Sequence, residues 1–281
     1  MTQPTSAPAH PFDQALTLTP RAPGVYDGRP HPAYANMVGP YGGITAAQML
    51  QSVLLHPGLL GEPVALTVNF AAGLRDAPFV LEARPARTNR STQHWTMALR
   101  QSGPDGGEET MITATAVTAA RRVTWSATDT PMPAAPLPAH VARQPLPELL
   151  PSAFMNRYDM RPVTGHIPRA WDGAESDSTT QLWMRDDPPR PLDFASLTAL
   201  ADLFFPRVWR RRAMPTPAGT VSMTVYYHAR GGDLAARGSG YLLGQARAQS
   251  FFNGFFDQSA ELWSQAGQLL ATTHQIVYYK E

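Results

Sequence analysis

The feature that most constrains this chain is a repeat. Twice along its length an apolar helical run is followed by four strand-like runs in the same order. The first helix is GGITAAQMLQSVLL, where Ile44, Ala47, Leu50 and Leu54 recur at helical spacing before a stop near His56-Pro57-Gly58. The second is PLDFASLTALADLFFPRV, with Asp193 as N-cap, Leu197, Leu200 and Phe204 as its stripe, and Pro206 as its end or kink. The strand-like runs then correspond pairwise. LTVNFAAG (66–73) matches MTVYYHARG (223–231), and FVLEARPAR (79–87) matches YLLGQARAQ (241–249). HWTMALRQ (94–101) matches FDQSAELWSQ (256–265), and TMITATAV (110–117) matches LLATTHQIV (269–277). Tight turns such as GPDGG and AGQ join the runs, which reads as antiparallel hairpins. A helix ahead of such a meander buries its apolar face by lying on the sheet. The predicted class is therefore α+β, with two copies of a helix wrapped by an antiparallel sheet.

Closely spaced prolines from Pro131 to Pro151 block both helix and central strand and read as an extended connector. They divide the chain into residues 1–122, a connector at 123–152, and residues 153–281. With 281 residues and 43% hydrophobic content each part can build a core. A net charge of +1 argues against a nucleic-acid platform or a polybasic membrane surface. The absence of cysteine excludes disulfides, thiolate metal sites and a cysteine nucleophile, and fits a reducing cytoplasm. MTQPTSAPAH lacks the basic and apolar regions of a signal peptide, and no apolar run approaches the roughly 18 residues that span a bilayer.

The stretch VGPYGGITAAQML places glycines directly ahead of the first helix. A helix N-terminus offers unpaired N–H groups, and Gly42 and Gly43 would let a ligand approach them. The bland reading is a turn before a buried helix. There is no Gly-x-Ser-x-Gly elbow and no His-Glu-x-x-His, and the eight histidines show no ligand spacing. GSGYLLG runs from a loop into a strand, so it is not a dinucleotide loop. Neither a metal nor a cofactor is expected.

A glycine-led central helix, an antiparallel sheet around it and a tandem copy together resemble the double-hotdog thioesterases, most nearly the acyl-CoA thioesterase II family. The resemblance spans about Tyr26 to Tyr279. It is carried by HPGLLGEPVALTVNF in the first half, GFFDQSAELWSQAGQLLATTHQ in the second, and the aspartate of LTALADLF. It implies a tandem hotdog fold and hydrolysis of an acyl-CoA or related thioester. It further implies that Asp202 on the second helix, Thr220 on the following strand and Gln275 on the last strand hold the attacking water. The carboxylate of Asp202 would accept that water's proton, with Thr220 and Gln275 orienting both. Direct attack by Asp202 to give an anhydride is the lesser route. Backbone N–H groups beside Gly42 and Gly43 would meet the oxyanion.

The first helix carries no ionisable side chain from Gly43 to Leu55, so the site is expected once, not twice. The basic run RVWRRR, with Arg210, Arg211 and Arg212, could meet coenzyme A phosphates, although such a run is more often a solvated loop. ARPARTNR is a weaker basic run, and His228 and His274 are assigned structural roles. Phe251, Phe252, Phe255, Phe256 and Trp263 are expected in the core or lining an acyl pocket, with residues 159–180 a loop near it. No aspartate has a histidine five residues later, which disfavours the hydratases of this fold. The competing reading is a hotdog-derived protein that holds an acyl chain or small ligand without hydrolysis. Symmetric association into a homo-oligomer fits either.

Overall fold

The computed structural model describes residues 9–145 and 152–281. In chain order the elements are α1 (Pro11–Ala15), β1 (Thr19–Ala22), β2 (Val25–Gly28), α2 (Gly42–Leu54), β3 (Glu62–Phe70), β4 (Phe79–Thr88), β5 (Thr92–Ser102) and β6 (Glu108–Ala119). The second half continues with β7 (Tyr158–Thr164), β8 (Thr180–Asp186), α3 (Phe194–Leu200), α4 (Arg207–Arg212) and β9 (Ala218–Tyr227). It ends with α5 (Gly231–Ala235), β10 (Leu242–Arg247), β11 (Phe251–Phe252), β12 (Phe255–Ser264) and β13 (Leu269–Tyr279). None of these helices is long and apolar enough to cross a membrane.

The strands form one antiparallel sheet ordered β1-β2-β4-β5-β6-β3-β9-β13-β12-β10-β8-β7, with β11 folded onto β12. Read outward from the centre, the order is the same in both directions. The seam is the β3–β9 pair, where Thr67 stands opposite Thr224 and their hydroxyls meet at 2.9 Å. Leu66 faces Val225 and Val68 faces Met223, so a pseudo-twofold axis passes through the two threonines. That register equates position 67 with 224 and makes every other correspondence readable.

Helices α2 and α3 lie inside the curved sheet and against each other. A side chain at Gly43 would place its Cβ 2.6 Å from the Ala199 carbonyl oxygen, so glycine permits the helices to touch. The Tyr41 hydroxyl donates to the same carbonyl at 2.6 Å. Sandwiched between sheet and partner helix, α2 is buried beyond its predicted stripe, with Ala46, Met49 and Val53 joining Ile44, Ala47 and Leu50.

Several expectations need correction. Each half opens with two strands that the repeat did not show: β1 and β2 before α2, and β7 and β8 before α3. Residues 159–180 are thus not a loop throughout, since β7 occupies their start and only 165–179 is irregular. α3 stops at Leu200, so Asp202 sits in the turn after it, its N–H bonded to the Ala199 carbonyl at 3.2 Å, and Phe204 lies beyond the helix. RVWRRR is a separate short helix, α4, rather than a loop. Of the aromatic group, Phe256 is buried, while Phe252 and Phe255 are exposed at the tip of the β11–β12 hairpin.

The connector runs largely without regular structure along the outer face of the second half. Its carbonyls at Pro136 and Thr130 accept hydrogen bonds from the indoles of Trp183 and Trp263, at 2.8 and 3.3 Å. Trp263 is therefore buried under the connector. The last stretch of the expected connector, 146–151, lies outside the described residues, as do residues 1–8 of the N-terminal stretch read for a signal peptide.

Candidate active site

Asp202, Thr220 and Gln275 come together in one cavity of about 600 Å³. Its walls are drawn from both halves and are largely apolar, with Phe70 and Ile112 from the first and Phe154, Leu203, Phe204 and Phe256 from the second. Gln275 is buried on the inner face of β13. Its Nε2 donates to Asp202 Oδ1 at 2.9 Å, and its Oε1 accepts from the Thr220 hydroxyl at 3.2 Å. The chain Thr220–Gln275–Asp202 fixes the amide orientation and leaves Oδ2 of the carboxylate unspent by it.

Thr220 reaches this chain through a β-bulge. Strict alternation along β9 puts Met223, Val225 and Tyr227 inward, which would send Thr220 outward. The β9–β13 register skips Val221: Ile276 faces Ser222, and Val277 faces Thr220. The extra residue turns Val221 to solvent, 39% exposed, and Thr220 into the cavity.

The other partner of Asp202 is the start of α2. That helix has Tyr41 as N-cap but no side-chain capping bond. Asp202 brings negative charge to this end from the other half of the molecule, as the helix dipole favours. A Cβ on Gly42 would lie 2.8 Å from Asp202 Oδ2, so the carboxylate occupies space that only a glycine leaves open. Burial pushes the Asp202 carboxyl up to about 7, while the Gln275 amide and the Gly43 backbone N–H pull it down. The surface that Asp202 retains opens into the cavity. A carboxyl poised near neutrality beside a cavity is suited to take a proton from water and return it.

The remaining sequence candidates divide. Gly42 lines the cavity, whereas the close approach at Gly43 is that of α3. Arg210 faces Asp177 at 3.8 Å, Arg211 pairs with Glu175 at 2.8 Å, and Arg212 pairs with Glu281. None of the three lines the cavity, and each already has a carboxylate from this chain. His228 bonds the Thr272 hydroxyl at 3.1 Å, and His274 lies 3.7 Å from Asp257 on the outer face. A residue missed from sequence is Gln258, buried on the inner face of β12 directly opposite Gln275 and lining the cavity. The signal was present: a lone polar residue in the inward series Phe256, Gln258, Ala260, Leu262.

Comparison with known proteins agrees with this architecture. The profile of the acyl-CoA thioesterase N-terminal domain matches residues 31–119, and that of the acyl-CoA thioesterase C-terminal domain matches residues 131–279. A crystal structure of a conserved protein of unknown function with a hot dog fold, from Alicyclobacillus acidocaldarius, is 49% identical with a TM-score of 0.90. The match covers 97% of this chain and 99% of that one. A thioesterase II structure from Thermobifida fusca YX shares the fold at 20% identity and TM-score 0.79, covering 98% of this chain and 99% of the other. An acyl-CoA thioesterase II structure from Mycobacterium marinum does so at 19% identity and 0.73, covering 96% and 98%. The search of curated proteins found no match.

Proposed function

The chain belongs to the acyl-CoA thioesterase family, a family of thioester hydrolases, and on that premise we propose that Asp202, Thr220 and Gln275 form its hydrolytic centre. One observation carries the reading: the hydrogen-bonded chain Thr220–Gln275–Asp202 ends on a carboxyl held near pH 7 at the wall of an apolar cavity. The acyl chain of a coenzyme A thioester would lie along the apolar walls, with its carbonyl beside Asp202.

A water molecule then attacks the carbonyl carbon while Asp202 accepts one of its protons. The carbonyl π pair moves to oxygen. When the tetrahedral intermediate collapses, the carbon–sulfur bond breaks and the thiolate takes the proton from Asp202. The products are the free acid and the thiol. Because Gln275 pins Oδ1, Oδ2 is the oxygen left to act as the base.

The test is hydrolysis of an acyl-CoA series from acetyl to palmitoyl, followed with a thiol-reactive dye. The protein has no cysteine, so the dye reports released coenzyme A alone. The expected result is turnover that peaks at one chain length and falls about 10²–10⁴-fold in Asp202→Asn. Folded wild-type protein that turns over none of these substrates would support the non-catalytic binding protein instead.

A further inference from the structure

The chain through Thr220 and Gln275 orients a base, but it leaves the developing oxyanion without a side-chain donor. Gln275 Nε2 is committed to Asp202, and the Gly43 N–H is turned toward the same carboxylate. Gln258 supplies what is missing. It is 2% exposed, and its amide has no hydrogen-bond partner among the described residues. The little surface it keeps opens into the cavity. With its surface opening into an apolar-walled cavity, the amide is left to bond whatever occupies that cavity.

Its position is defined by register. Gln258 is paired with Gln275 across β12 and β13, and such directly opposed side chains have Cβ atoms about 5 Å apart. One group on that row already touches Asp202; its neighbour therefore lies within reach of a carbonyl under attack from a water on Asp202. On the other flank, extending the β10–β12 register by one residue brings Gln258 beside Ala248. Ala248 is bonded through its N–H and its carbonyl to the Ser178 hydroxyl. The Ser178 carbonyl in turn accepts from Arg207 at 3.0 Å.

Arg207 is fully buried, and its other bonds go to the Phe205 carbonyl and the Thr180 hydroxyl. Among the described residues no carboxylate pairs with it. Burial, reinforced by Arg210, lowers its pKa to about 9, which leaves it protonated at neutral pH. An unpaired cation in a low-dielectric interior favours negative charge nearby.

The pseudo-twofold supplies a control within the molecule. Gln275 stands opposite Met223, and its counterpart opposite Leu66 is Ala116. The residue paired with Ala116 on β5 is Trp95. Where the first half fills this place with a buried tryptophan, bonded to Thr118 at 3.1 Å, the second half holds an amide facing open space.

We infer that Gln258 is a further catalytic residue of this site, its amide N–H donating to the thioester carbonyl oxygen as that oxygen gains charge. The inference rests on the thioesterase reading above. The amide N–H bond strengthens as the carbonyl becomes an oxyanion, and no proton is transferred from it.

The test uses the full chain with Gln258→Met, which keeps size and loses the donor, and Gln258→Glu, which keeps shape and replaces the donor with a carboxylate. With the best acyl-CoA, Gln258→Met is expected to lower kcat about 10²–10³-fold with KM little changed, while its melting temperature holds or rises. Gln258→Glu is expected to be weaker still at pH 8. Its rate relative to wild type should recover as pH falls, because the protonated acid again donates, whereas the Gln258→Met ratio stays flat. Wild-type kcat in Gln258→Met overturns the inference, and so does a change confined to KM or to chain-length preference. Should Gln258→Met fold poorly, Gln258→Leu is read by the same kcat and KM criteria, and a wild-type kcat in it overturns the inference. A wild type that hydrolyses nothing overturns it as well, but that failure appears before any variant is made and belongs to the thioesterase reading.

Discussion

The two halves of this protein share one backbone plan and differ at the few positions that would make a site. Each has the same strand order, and each has the same bulge near the start of its first strand after the helix, at Val64 in β3 and at Val221 in β9. The bulge presents Pro63 in the first half and Thr220 in the second. The strand beyond presents Ala116 against Gln275, and the next presents Trp95 against Gln258. At the first helical position, Gly42 stands where the other helix has Phe194, which packs edge-on against Tyr227 at 5.6 Å. The first half is solid where the second is hollow and polar. Yet the hollow half does not suffice alone, because Asp202 needs the open end of α2 from the solid one. On the proposed reading, the repeated fold carries one composite site, with one copy supplying side chains and the other a helix terminus.

That comparison can be broken at either end. The largest expected effect, beyond the loss in Asp202→Asn, comes from the first half. Gly42→Ala inserts a methyl group 2.8 Å from Asp202 Oδ2, so the carboxylate must move. A displacement of that kind costs on the order of 10²-fold in kcat, to be read from steady-state kinetics; an unchanged rate would show that Oδ2 does not work from this position. Next comes Gln275→Ala, which gives the second half the residue that the first half has at Ala116. Without the amide bond that lowers it, the Asp202 carboxyl should titrate higher. In wild type, kcat should rise with pH through about 7, as a base of that pKa ionises. In Gln275→Ala the rise should move to higher pH, with a plateau about tenfold or more lower. Coincident pH profiles would remove Gln275 from the carboxylate's control.

The smallest effect is on stability. Folding raises the Asp202 pKa from 3.8 to about 7, so between those values the native state binds more protons than the unfolded chain. Stability contributed by this group therefore falls as pH rises from about 4 to about 7. Asp202→Asn, which cannot ionise, should be more stable than wild type at pH 8 by about 2 kcal/mol, discounted for water entering the cavity, and equal to it near pH 4. Urea titrations at the two pH values measure the difference; a variant less stable at pH 8 would mean that the charged carboxylate is well paid for by its neighbours.

The sequence displays some of this plainly. Eight strands and the first helix stand out because they alternate or recur around half-buried faces, as in LTVNF and LLATTHQIV. β1 is hidden because TPRA is exposed at every residue and carries an edge proline. β7 is hidden because Pro162 and three ionisable residues, Asp159, Arg161 and Tyr158, blur its pattern. α3 ends at Leu200 although the apolar spacing runs on to Phe204, because Asp202 turns back to face α2 instead of continuing the helix. The types of the three site residues came from family likeness. Their convergence depends on a bulge that no local pattern announces, since period-two reading from Met223 puts Thr220 on the wrong face. Gln258 needed no outside help, only attention to one polar residue in an inward-facing series.

The seam between Thr67 and Thr224 has one more consequence, and it concerns time. These residues are 157 positions apart. On the ribosome, β3 is made long before β9, so the first half must wait with an unpaired strand edge that later becomes the middle of the sheet. A bare edge of that kind invites pairing with the wrong partner until the right one emerges. Contacts so distant in sequence also form slowly. The strand that unites the two halves in the finished protein is thus the one most in need of protection while the protein is being born.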